Sequence, residues 1–148
     1  MKIYNYNSKK VLWKEDFILP MSSKITSDFG TKRVYNNQLK SYHSGIDFKA
    51  KIGSEIIASN DGIVKLAKHR FYSGNSIIID HGQGIYTCYF HLSNIKVKKN
   101  QKIKRGELIG LSGDTGRVTG PHLHFATRVH GVLVEPNNLF SILNKLNN

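Results

Sequence analysis

The chain has 148 residues, 39% of them hydrophobic, which is enough for one domain that buries a core without staples. Its net charge of +12, from 22 basic and 10 acidic residues, draws it toward polyanions. The single cysteine, Cys88, excludes an intrachain disulfide framework and a cysteine-rich zinc site, and no apolar run is long enough to span a membrane.

Basic residues are scattered apart from Lys96, Lys98, Lys99, Lys102, Lys104 and Arg105. No helix-turn-helix, zinc-finger spacing or aromatic–basic platform accompanies them, so the charge reads as a solvated face and nucleic acid is not the expected partner. In chain order, residues 1–19 form an extended lead-in laid over the main sheet, and Leu19-Pro20 marks a boundary with a domain over 20–148. Met1 to Asn5 lacks an apolar signal core, so any export is directed by a segment outside this sequence. Ile25 to Gly30 is a short strand ending in a turn. Residues 31–41 are polar and free of glycine, with Asn36-Asn37 suggesting an exposed loop that borders whatever His43 serves.

Short strands then alternate with glycine turns: Ile56–Ala58, Ile63–Ala67, Ser76–Asp80, and Ile85–His91 after a hairpin turn at His81–Gly84. Alternation along Ile85–His91 puts Thr87, Tyr89 and His91 on one face and Tyr86, Cys88 and Phe90 on the other. Ile95–Val97, Ile103, Leu108–Leu111 and Val132–Val134 continue the pattern. Leu139, Phe140, Leu143 and Leu146 fall at helical spacing behind an Asn137-Asn138 cap, giving a short C-terminal helix. Strands spaced by roughly ten residues predict an all-β antiparallel sandwich or open barrel.

Chemistry concentrates in two stretches. In Thr119-Gly120-Pro121-His122-Leu123-His124-Phe125, strand alternation places His122 and His124 on one face and the apolar residues on the other. Far upstream, His43 and Asp47 stand four apart around Gly45. His43, Asp47 and His124 would supply two nitrogens and one oxygen and leave a fourth position open, the usual ligand number of a catalytic zinc. No His-Glu-x-x-His helix motif is present to supply a glutamate base, so a histidine has to move the proton. His122 and His91 remain, and either imidazole suits a base or an oxyanion donor. His69 and His130 read as surface residues and His81 as hairpin chemistry.

These motifs resemble the lysostaphin/LytM-type zinc metallopeptidases. The resemblance is carried by His43-x-x-x-Asp47, by Tyr89-Phe90-His91-Leu92-Ser93 and by Gly120-Pro121-His122-Leu123-His124-Phe125, within a match from about Ile25 to Pro136. It extends to Ile25–Gly30, the Asp61-Gly62 turn, Gly106–Gly110 and Gly113–Arg117. It implies one zinc on His43, Asp47 and His124, with His91 and His122 as the catalytic pair. The implied activity is cleavage of peptidoglycan stem-peptide cross-links in the periplasm or cell envelope, where regulatory proteins are further candidate partners. The loops look like Gram-negative members that act on D-Ala–meso-diaminopimelate bonds, sometimes trimming stems as carboxypeptidases; the lysostaphin branch cuts glycine bridges instead. Asn100 departs from a common glycine and Ala126 from a common acidic residue. Tyr35 is a candidate loop tyrosine near the substrate carbonyl.

The implied fold is a duplicated hybrid-motif sandwich or open barrel, with a site groove walled by the 31–41 and 69–75 loops and by turns at 92–94 and 113–120. Two other readings use the same scaffold. One is a non-catalytic amidase-activating wall-binding domain, disfavoured by the complete ligand set. The other is a phosphocarrier, suggested by Ile103-x-x-Gly106-x-x-Ile109, which would need a phosphorylated histidine.

Overall fold

The computed structural model describes residues 10–35 and 38–147. Twelve strands precede one helix: β1 (Ile25–Ser27), β2 (Lys32–Tyr35), β3 (Gln38–Tyr42), β4 (Ile46–Lys49), β5 (Glu55–Ile57), β6 (Gly62–Arg70), β7 (Gly74–Asp80), β8 (Ile85–Ile95), β9 (Lys102–Ile103), β10 (Leu108–Ser112), β11 (His122–Val129), β12 (Val132–Val134) and α1 (Pro136–Asn147). Ten strands form one open antiparallel sheet whose main path runs β1-β4-β11-β8-β7-β6-β9. This meets the all-β expectation in its open form, with the single short helix at the C-terminus.

β8 is the hinge of the sheet. Its first half pairs with β7 and β11, while Leu92, Asn94 and Ile95 pair with β10, which in turn pairs with β5. The sheet therefore folds back over one core, in which Ile56, Ile103 and Ile109 meet Ile77, Ile79, Tyr89, Leu92, Leu123 and Phe125. Residues 92–94, expected as a turn, continue the strand because β10 supplies their partners. The opposite face carries a smaller cluster of Leu66, Ile78, Tyr86, Cys88 and Ala126. Ala126, noted above as a departure from a common acidic residue, is one of the apolar residues of that cluster.

The described part of the lead-in, residues 10–19, joins the main core. Phe17 is buried, stacks on Phe140 of α1 at 5.0 Å and meets His81 edge-on at 5.1 Å. Its backbone N–H donates to Asn144 Oδ1 at 2.8 Å. α1 starts at Pro136, one residue before the expected Asn137-Asn138 cap. Proline is preorganised for the first helical position, and Glu135 caps the helix by accepting the Asn138 N–H at 2.6 Å. No helix among the described residues is long and apolar enough to cross a membrane.

Instead of a loop, the 31–41 region contains the hairpin β2–β3, which pairs only with itself. The Asn36-Asn37 loop tip, residues 1–9 and the Tyr35 side chain lie outside the described residues, as does the expected contact of this region with the site.

Candidate metal centre and groove

The register of β4 on β11 makes Asp47 and His124 direct partners, and β11 on β8 aligns His124 with Phe90. Gly45 permits this approach, since a Cβ there would meet the Phe125 carbonyl. His43 lies just before β4. Its backbone is pinned by bonds from Gly30 N–H (2.8 Å) and to the Thr31 carbonyl (2.9 Å). All three side chains are buried.

Their donor atoms converge. His43 Nε2 is 3.2 Å from Asp47 Oδ1, His124 Nδ1 is 2.8 Å from the same oxygen, and the two ring nitrogens are 3.1 Å apart. His43 donates its Nδ1–H to the Asp28 carbonyl at 2.9 Å, which leaves Nε2 as the bare nitrogen of a neutral ring. A lone pair aimed at a carboxylate oxygen is repulsive unless positive charge lies between them. Ligands of a tetrahedral ion with bonds of about 2.0–2.1 Å stand about 3.3 Å apart, close to the observed triangle, so this donor set fits zinc. No other cluster of this kind occurs among the described residues. The Ser44 hydroxyl stands 3.2 Å from His124 Nε2, where it can fix the ring with Nδ1 turned inward.

Burial pushes the Asp47 carboxyl up, but the His124 and His43 rings against its Oδ1 outweigh it and hold the group well below the usual carboxylate range. Burial, partly offset by the Asp47 bond, lowers His124. The pocket is thus set for an ionised acid beside neutral imidazoles, the protonation pattern a metal requires.

His91 and His122 stand beside this triad, with ring centroids 5.0 Å apart. His122 donates Nδ1–H to the Gly120 carbonyl at 3.0 Å, and His91 donates Nδ1–H to the Thr115 carbonyl at 2.8 Å. Each ring keeps Nε2 as its proton acceptor. Burial, only partly countered by the Thr115 bond, lowers the His91 pKa to about 4, so the ring is neutral at neutral pH.

His91 reaches this face against the expected alternation. Its φ is +64°, and the β7–β8 register moves from Ile77↔Tyr89 to Asn75↔Leu92, three steps against two. That β-bulge turns Phe90 and His91 to the same side. Phe90 stacks on His124 at 5.6 Å while Tyr89 and Leu92 stay in the core.

The five residues open into a groove of about 720 Å³ also lined by Thr26, Ser44, Tyr72, Ser73 and Arg117–Pro121. The 69–75 and 113–120 segments contribute as expected, whereas residues 92–94 do not. His69 and His130 are exposed. His81 is fully buried away from the groove, between the Asp61 carbonyl (2.7 Å) and Thr87 Oγ1 (2.8 Å). Ser44 and Arg117 were not singled out from sequence. The Asp28, Thr115 and Gly120 contacts are backbone carbonyls and carry no side-chain signal.

Residues 41–136 match the model of Peptidase family M23. The chain belongs to that family. M23 is a zinc metallopeptidase family, and this member has the His/Asp/His cluster. The chain is 46% identical over 115 residues to the peptidoglycan DD-endopeptidase ShyA of Vibrio cholerae, covering 76% of this chain and 27% of that protein. It is 37% identical over 114 residues to the DD-carboxypeptidase/endopeptidase Mpg of Neisseria gonorrhoeae, covering 77% and 26%. It thus spans about a quarter of the length of these relatives. Among solved structures, a zinc-containing peptidase from Vibrio cholerae superposes with a TM-score of 0.77 at 38% identity, covering 82% of this chain and 39% of that one. The catalytic domain of lysostaphin from Staphylococcus simulans gives 0.70 at 30%, covering 80% and 92%.

Proposed function

We propose that this M23 chain is a zinc-dependent peptidoglycan endopeptidase of the bacterial periplasm or cell envelope. Residues 20–148 form its hydrolytic domain and 1–19 its lead-in, one zinc is bound by His43, Asp47 and His124, and His91 and His122 move protons. The observation that carries the reading is the donor triangle of 2.8–3.2 Å with two further imidazoles beside it. The relatives called DD-endopeptidases are more similar in sequence than lysostaphin is, which favours D-Ala–meso-diaminopimelate cross-links, with carboxypeptidase trimming of stems, over glycine bridges.

When bound, zinc supplies Lewis acidity, acidifying water and polarising a carbonyl. The protein's own residues do the rest. His91, neutral and fixed through Nδ1, accepts the proton of the attacking water on Nε2. As the water oxygen bonds to the carbonyl carbon and the C–N bond breaks, that proton passes to the leaving amine. His122 orients from the other side, its Nδ1–H held by Gly120. The groove excludes bulk water from one side of an extended peptide.

The test is zinc content together with digestion of purified sacculi and identification of the released muropeptides. One zinc per chain and cleavage at D-Ala–diaminopimelate are expected. His122→Ala should keep fold and zinc while turnover falls by about two to four powers of ten, and Asp47→Ala should lose zinc first. Full activity in His122→Ala removes that residue from the mechanism. A metal-free wild type that leaves sacculi intact returns the domain to a wall-binding role.

A further inference from the structure

We propose that Arg117, laid against Tyr72 in the groove wall, is a subsite for a free carboxylate on the substrate, the one borne by the carbon next to the scissile nitrogen. This rests on the hydrolase reading above and names what that site selects. Among the described residues lining the groove, only Asp47 and Arg117 carry fixed charge, and Asp47 is engaged by His43 and His124. Among these described residues, the free charge offered to a substrate is therefore a guanidinium.

Arg117 has no ion pair among the described residues. Asp114, on the same turn, does not bond it, whereas Arg105 is occupied by Glu15 and the Asp16 carbonyl. Its position is nevertheless built. The backbone N–H of Arg117 donates to the Tyr72 carbonyl at 2.9 Å, and the guanidinium carbon lies 5.8 Å from the Tyr72 ring centroid. Gly116 packs so closely on Gly74 that a side chain would collide. The Thr115 hydroxyl accepts the Asn75 N–H at 3.0 Å and donates to the Leu92 carbonyl at 2.6 Å, while the Thr115 carbonyl holds His91. One three-residue turn thus fixes both a proton-moving imidazole and this guanidinium.

A planar guanidinium held over an aromatic ring is suited to bidentate carboxylate recognition. In a D-Ala–diaminopimelate cross-link, the carbon bearing the scissile nitrogen carries a carboxylate. A lysine cross-link has none there, and neither does an internal bond of a glycine bridge. The same arginine would therefore favour one wall chemistry over the others. An exposed arginine on a chain of net charge +12 could instead add only diffuse attraction to polyanions, and the test separates the two.

The substrates are a D-Ala–diaminopimelate peptide dimer, the same dimer with that carboxylate amidated, and the matching lysine-linked dimer. Zinc-loaded wild type should prefer the free acid over the other two by about 10- to 100-fold in kcat/KM, mostly through KM. Arg117→Gln should bring the ratio close to one, while Lys98→Gln, an exposed control away from the groove, keeps it. A wild-type ratio near one, a preserved ratio in Arg117→Gln, or an equal loss in Lys98→Gln overturns the subsite and leaves the hydrolase standing. No cleavage of any dimer by the zinc-loaded wild type removes the hydrolase reading. Equilibrium binding of the acid and amide dimers to His122→Ala protein, with and without Arg117→Gln, reads the preference without turnover: an acid preference that Arg117→Gln abolishes supports the subsite, and equal binding refutes it.

Discussion

The bulge at His91 predicts an inversion of the usual strand preference between alanine and glycine. In a regular strand, glycine is worse than alanine by about 0.5–1 kcal/mol because it loses more backbone freedom on folding. At φ +64° the sign turns, because a Cβ in the left-handed region costs about 1–2 kcal/mol and glycine has none. His91→Ala and His91→Gly both lose the ring and its bond to the Thr115 carbonyl, so their difference isolates the Cβ. His91→Gly should therefore be the more stable of the two by about 1 kcal/mol, or about 2–4 °C in Tm for a chain of this size. Urea unfolding at fixed zinc concentration measures it, with equal slopes expected for both variants. An alanine variant as stable as the glycine variant would mean that the chain relaxes out of the bulge, and that position 91 is not held on the site face by the backbone.

Gly45→Ala should damage the centre without touching a donor atom, since its Cβ meets the Phe125 carbonyl between the strands carrying Asp47 and His124. Zinc affinity in a chelator competition should fall by about 10- to 100-fold, the range for groups that orient metal ligands, and unchanged affinity would show that β4 can shift freely. His81, lowered by burial to about 4 from 6.5, gives a pH-dependent stability. Its folded pKa lies below the unfolded one, so the folded state binds fewer protons between these values. The contribution is whole above pH 6.5 and lost as pH falls toward 4, about 3 kcal/mol in all. The stability difference between wild type and His81→Gln should shrink by about that amount over this window, and a pH-independent difference would exclude His81 as the cause.

Ligand residues were more legible than backbone geometry. His43, Asp47, His122 and His124 stand out because three imidazoles and an acid have poor reasons to exist in a core. His91 was legible as a residue but not as a direction: nothing in Tyr89-Phe90-His91-Leu92 marks a left-handed position, because histidine occupies the site where such a bulge usually takes glycine. Asn100, at φ +73°, is the milder case, since asparagine tolerates that region and the departure from glycine costs little. The β2–β3 ribbon is not legible in the sequence because a polar pair of strands bonded to each other leaves no apolar run. Arg117 was hidden for a different reason. An arginine in a basic chain is unremarked until the fold shows which acids fail to reach it.

What positions the proposed metal donors is the core on the other side of the same strands. Leu123 and Phe125 are buried in the core, Phe125 against Tyr89 and Phe48, and alternation turns the residue between them, His124, into the groove. Slipping β11 by one residue would bury the imidazole and expose the phenylalanine, so the hydrophobic set that fixes the register also fixes where the His124 ring points. The Asp47↔His124 pairing then follows from β4 lying beside β11, and close approach at Gly45 removes the slack. His91 is the one member of the site that alternation would misplace, and a strained residue supplies the missing half-turn. Local strain at that residue is tolerable because Tyr89 before it and Leu92 after it are both anchored in the core. The proposed proton-moving group is thus held by the same apolar packing as the proposed metal ligands, one bulge removed.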